Sequence, residues 1–209
     1  MEGGRVEGEG ALTTSAIRAY IFDFDGTLGT IPVDWEGVKN SLRMVTGYQS
    51  DFKQIFVTLN ELISKDPGVA GPAFTVLDEY ETAAAPMAYL YEGSKELLSK
   101  LSETAKVGLV TMQGRRTCSL LLERFGLKQY FLVRYTREDS LDRAEQLSFA
   151  ISDLKVSKDE AMFVGDRLND LNAAKRAGVP FTMVRTHGED PEENIPIYHS
   201  LAEFLASFF

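Results

Sequence analysis

The chain has 209 residues, 44% of them apolar and 25% charged, which suits one folded domain or a core domain carrying a smaller insert. Its net charge of -9 leaves no basic surplus for phosphate backbones, so a general nucleic-acid binder is excluded, though a small anionic substrate is not. No run reaches the ~18–20 apolar residues of a membrane span, and the single cysteine, Cys118, excludes an internal disulfide framework and suits a reducing, cytoplasmic setting.

Residues 1–15, "MEGGRVEGEGALTTS", are too rich in Gly and Glu for a signal peptide and read as a disordered leader. The apolar run 17–24 reads as a strand, and "DFDGT" follows its last residues. Residues 33–90 then carry helical spacing. Phe52, Ile55, Phe56, Leu59, Leu62 and Ile63 share one face. The segments 33–45 and 74–90 are also expected to be helical, with 64–72 as a Gly/Pro linker and no strand in the block.

From residue 91 onward, helix and strand alternate. Helices are expected over 94–103, 115–126, 144–154, 170–178 and 200–209, and strands over 106–111, 130–136, 161–166 and 181–186. Such alternation implies right-handed crossovers and a doubly wound parallel sheet, hence an α/β fold. The division expected is a core of 16–32 and 91–209, interrupted after its first strand by a helical insert at 33–90.

Several strands end in polar residues. Asp23 and Asp25 follow the first, Thr111 ends the second, and Asp166 ends the fourth with Asp170 four residues on. Arg137 and Arg143 lie in "TREDSLDRAEQL", just past the third. Ligands in open α/β sheets bind at that edge. Two carboxylates about 4 Å apart repel by roughly 4 kcal/mol at an effective dielectric near 20. Asp23 and Asp25 therefore need water, a cation or a shared proton. Singly, each of these residues is equally readable as a turn former, a cap or a solvated face; together at one sheet edge they point to a site.

These motifs carry a resemblance. "DFDGTL", then "VT", a basic residue and "VGDRLNDLNAAKRAGV" are similar to the haloacid dehalogenase-like hydrolases, across residues 17–205. The resemblance implies a phosphatase with a small helical cap at 33–90, of which the phosphoglycolate phosphatases are one type. It implies Asp23 as nucleophile and Asp25 as general acid and base. It implies Mg²⁺ held by side-chain oxygens of Asp23 and Asp166 and the backbone carbonyl of Asp25, with Asp170 either supporting them from behind or serving as a further ligand. Gly26 and Thr27 would turn backbone N–H groups toward the phosphoryl oxygens, joined by the Thr111 hydroxyl and the Met112 N–H. Arg143 stands where the family usually has lysine; Lys128, Lys155 and Lys158 are the substitutes should it lie elsewhere. Met112–Gln113 after Thr111 is a further departure, where the family often has Asn or Ser.

Cys118 is expected in the core, and His187 and His199 on the surface or in caps. Trp35 reads either as insert packing or as a pocket wall. The partner implied is a small phosphorylated metabolite, with the chain a monomer or weak homodimer. The alternatives are a phosphomutase or dehalogenase of the same fold, a phospho-receiver module, or a binding protein with a decayed site. Asp25 weighs against the dehalogenase.

Overall fold

The computed structural model describes residues 16–184 and 194–208. β1 (Ala19–Phe22) is buried at every residue and alternates its side chains between two cores. Tyr20 and Phe22 face one core, Ala19 and Ile21 the other. Five parallel strands join it: β4 (Lys106–Val110), β5 (Val133–Tyr135), β6 (Ala161–Gly165), β7 (Phe181–Val184) and β8 (Ile197–Tyr198). The order across the sheet is β5-β4-β1-β6-β7-β8, with every pairing parallel. The chain runs outward from β1 through β4 and β5, then returns to the other side of β1. That reversal opens a crevice at the carboxyl ends of the strands.

Both faces are covered. α4 (Ser94–Thr104), α5 (Arg115–Arg124) and α8 (Leu201–Ala206) bury Leu97, Leu98, Leu121 and Phe204 against Phe22 and Leu109. α6 (Arg143–Leu154) and α7 (Leu168–Ala177) bury Leu147, Ile151, Leu171 and Ala174 against Ile21 and Phe163. Full burial of one such side chain stabilises by about 1.5–3 kcal/mol.

The insert has a third cluster. α1 (Trp35–Thr46), α2 (Ile55–Lys65) and α3 (Ala70–Ala84) gather Val38, Leu42, Phe52, Leu59 and Leu77. Asp34 caps α1 by accepting the Gly37 N–H, and Gly47 closes it at φ 71. The expected linker is shorter than its composition suggests. Asp66 caps a brief 3-10 turn, and α3 already begins at Ala70. Gly71 and Pro72 fall in its first turn, where a missing N–H costs nothing.

Two strand pairings depart from expectation. The first is β7 with β8. In the second, β2 (Gly29–Thr30) and β3 (Tyr89–Leu90) form an antiparallel ribbon where the insert leaves and rejoins the sheet. At two residues each, neither β2, β3 nor β8 is long enough to show alternation. The third core strand is also shorter than 130–136, because Lys128–Tyr130 make a 3-10 turn. Residues 1–15, His187 and the end of the last expected strand lie outside the described residues. No helix among the described residues is long and apolar enough to cross a membrane.

Candidate active site

At the end of β1 the Asp23 N–H still donates to the Val164 carbonyl, at 3.0 Å. The chain then turns sharply. The N–H groups of Thr27, Leu28 and Gly29 all converge on the Phe24 carbonyl. Gly26, at φ 92, packs directly against the Asp166 carboxylate, where any Cβ would collide. This turn brings the first and fourth motifs together.

Three of the four acids lie together. Carboxylate oxygens of Asp23, Asp166 and Asp170 lie within 4.8 Å of one another. Gly165 permits the approach, since a Cβ there would sit 2.7 Å from the Asp170 Cβ. Asp166 Oδ1 is buried without a hydrogen-bond partner. Burial, and then Asp23, push the Asp166 carboxyl up to about 7. Burial also raises Asp170, against the pull of Arg143. Asp25 stands slightly apart, its Oδ1 accepting from the Thr30 hydroxyl at 3.0 Å and the Ile31 N–H at 3.1 Å. Burial raises its pKa more than those bonds lower it.

Arg143 enters from the first residue of α6. Its Nη1 lies 2.8 Å from Asp23 Oδ1 and 3.5 Å from Asp170 Oδ1, and donates to the Val110 carbonyl at 3.3 Å. Its side chain is only 13% exposed, so it is not a solvated helix-start residue. Lys128 lies in a separate cleft, Lys155 closes the end of α6, and Lys158 packs near Gly178.

Thr111 is buried, and its Oγ1 accepts the Gln113 N–H at 3.2 Å. Its own proton is thus free to be donated into the cavity that Thr111 and Met112 line. Gly26 and Thr27 correct the expectation for them. Their N–H groups donate to the Gly29 and Phe24 carbonyls, at 2.8 and 3.2 Å, and so are spent in closing the turn. Neither is among the cavity-lining residues. Trp35 fulfils both of its readings, packing against the insert core and lining the cavity. Cys118 is buried, and His199 is exposed with its N–H on Glu203.

The sequence did not single out several neighbours. Arg167 reaches Asp166 at 3.3 Å and Asp25 at 3.7 Å. Gln146, wholly buried, donates to the carbonyls of Thr111 and Ser140. Arg137 was visible as a charge in "TRED", but not its partners. It is fully buried, pairs with Asp78 and, at 2.6 Å, with Glu81, and donates to the Met112 carbonyl at 3.1 Å. Both acids lie on α3, so nothing near Arg137 in sequence announced them.

Residues 20–184 match the model of the family described as haloacid dehalogenase-like hydrolase. The chain belongs to that family. It is 26% identical over 195 residues to an N-acetylmuramic acid 6-phosphate phosphatase of Pseudomonas aeruginosa, covering 85% of this chain and 86% of that one. It is 25% identical to a phosphoglycolate phosphatase of Synechococcus elongatus, over 78% of this chain and 81% of that one. Its fold is similar to that of CbbY from Rhodobacter sphaeroides, solved in complex with phosphate, with a TM-score of 0.65 at 19% identity over 90% of this chain and 96% of that one.

Proposed function

We propose that the chain is a Mg²⁺-dependent phosphatase that hydrolyses a small phosphate monoester through a phosphoaspartyl intermediate on Asp23. The coarser part rests on kinship: the chain is a hydrolase of phosphate monoesters, as its named relatives are. The observation that carries the finer part is the Arg143–Asp23 pair at 2.8 Å inside an acidic cluster at the carboxyl edge of the sheet.

The residues fit Mg²⁺. Three carboxylates offer hard oxygen donors within 4.8 Å of one another, and the unpartnered Asp166 Oδ1 is a buried acceptor waiting for a positive charge. Asp23, Asp166 and Asp170, with the Asp25 carbonyl, would hold the ion. Bound there, it supplies positive charge that offsets the repulsion between nucleophile and phosphate dianion.

Asp23 attacks phosphorus with one carboxylate oxygen while the ester oxygen departs. Asp25 gives that oxygen its proton, which its raised pKa makes available. An acyl phosphate now sits on Asp23. Asp25, deprotonated, takes a proton from water, which attacks the same phosphorus. Phosphate leaves and the Asp23 carboxylate is restored. Arg143 and the Thr111 hydroxyl hold the phosphoryl oxygens and Asp23 in line. Residues 33–90 serve as the cap, because Trp35, Phe56, Val57 and Asn60 supply one part of the cavity wall.

The test is acid quenching during turnover of an aryl phosphate with Mg²⁺. Intact mass should rise by one phosphoryl group on the peptide containing Asp23. Asp23→Asn should abolish both label and turnover while the circular dichroism spectrum persists. Label on another residue, or an active Asp23→Asn enzyme, overturns the assignment.

A further inference from the structure

The cavity beside the acids has a volume of about 380 Å³, within the range of pockets that enclose a small molecule and not merely a phosphoryl group. Its wall has an apolar part, built by Ile31, Val33, Trp35, Phe56 and Leu141. Trp35 and Phe56 meet edge to face, with ring centroids 6.4 Å apart. Its polar part includes the amides of Gln113 and Asn60.

Gln113 is the exception to the rule that buried amides are satisfied. It is 7% exposed and lines the cavity, yet neither its Nε2 nor its Oε1 has a hydrogen-bond partner. Its backbone is held, with the N–H on Thr111 Oγ1 and the carbonyl accepting the Arg137 N–H at 3.4 Å. A fixed backbone thus holds, in the cavity wall two residues after Thr111, a buried amide whose donor and acceptor are both unmet.

Charge narrows what that amide meets. The cations lining the cavity are all engaged: Arg143 by Asp23, Arg167 by Asp25 and Asp166, and Arg176 by Asp142. Glu81 and Asp142 also line it but are themselves paired, with Arg137 and Arg176, so a second anionic group would find no uncommitted cation there.

We infer that Gln113 is a specificity-determining residue that hydrogen-bonds the leaving group, and that this group is neutral, hydroxyl-rich and of sugar-ring size. One hydroxyl accepts from Nε2 and another donates to Oε1, while the apolar face of the ring lies on Trp35. The substrate class is therefore a sugar phosphate and not a small phosphorylated acid. This rests on the phosphatase reading above.

The experiment measures kcat/KM with Mg²⁺ on 4-nitrophenyl phosphate, phosphoglycolate, glucose 6-phosphate and N-acetylglucosamine 6-phosphate, for the wild type, Gln113→Leu and Gln113→Asn. At least one hexose phosphate should exceed phosphoglycolate by about tenfold or more. Gln113→Leu should lower kcat/KM on that hexose phosphate about tenfold further than on the aryl ester, mainly through KM, as loss of hydrogen bonds to a buried amide does. Gln113→Asn, which keeps an amide and the fold, should lie between. Preference for phosphoglycolate overturns the inference, as does an equal loss on both esters in either variant. An inactive wild type on every ester, the aryl phosphate included, overturns the phosphatase reading and the inference with it.

Discussion

Two buried arginines stand six positions apart, and they differ in how fully the acids around them are satisfied. Arg137 meets two carboxylates, and the Gly114 N–H further satisfies Glu81 at 3.0 Å. Around Arg143 stand Asp23, Asp170 and, further out, Asp25 and Asp166, with only Arg167 added at the rim. The first cluster satisfies its acids internally. The second leaves Asp166 Oδ1 without a partner. A cluster with its acids satisfied gives a fixed joint between α3 and the loops after β4 and β5. One with an acid left over stores an affinity for a cation. The same comparison limits cap motion, because swinging α3 with the rest of the insert would have to break the Arg137 pairs.

The sharpest way to break the comparison is to remove each arginine in turn. Arg137→Met leaves Glu81 buried without its cation, and the loss of one partner from a buried pair costs about 3–5 kcal/mol. Urea unfolding should show a loss of that size. Adding Glu81→Leu should recover most of it, since an apolar replacement of both partners is often near neutral. A single variant as stable as the wild type would mean that the joint carries no load. Arg143→Ala should do the opposite. Turnover should fall by about 10²–10³, as on loss of one preorganised donor, and with saturating Mg²⁺ offsetting the acids the urea midpoint should fall less than for Arg137→Met. Arg143→Lys should retain much of the activity. A fully active Arg143→Ala enzyme would place the phosphate elsewhere.

The same contrast explains what could be read beforehand. Asp23, Asp25, Asp166 and Asp170 were legible because each lies within a few residues of a strand end, and strand ends share one edge of the sheet. Arg143 was legible as a lone charge ahead of a helix, though its reach to Asp23 needed the structure. The Arg137 joint was not, because its partners lie 56 and 59 residues away on the insert. The ribbon of β2 and β3 was hidden by its length. Gly26 and Thr27 were misjudged because a tight turn consumes the N–H groups that the motif seemed to offer.

A metal titration sharpens the half that leaves an acid unpartnered. Free Mg²⁺ at about 100 times its dissociation constant should stabilise the wild type by about 2.7 kcal/mol. Chelation should remove that gain, read as a fall in Tm. Asp166→Asn removes one of the repelling charges, so the chelated variant should be no less stable than chelated wild type. Its response to Mg²⁺ should shrink. A full Mg²⁺ shift in Asp166→Asn would exclude Asp166 from the ligand set.

A third buried group tests whether cationic surroundings alone make a site. Cys118 lines the second cleft together with Arg115, Lys128 and Arg134. Positive neighbours favour a thiolate, yet burial pushes this thiol up to about 12, and Arg134 lowers it by less. An exposed thiol is half ionised near pH ~8.5. At that pH the native protein should react with a disulfide reagent far more slowly than the urea-unfolded chain, and no thiolate absorbance should grow in until the solution is well above it. The sign for stability follows. Above pH ~8.5 the unfolded chain has released a proton that the folded one still holds, so stability falls as pH rises from there toward the native value. Cys118→Ala should remove that part of the alkaline slope. Rapid labelling of the native protein at neutral pH would show that the neighbouring cations outweigh burial, and that the contrast between satisfied and unsatisfied buried groups does not extend to this cleft.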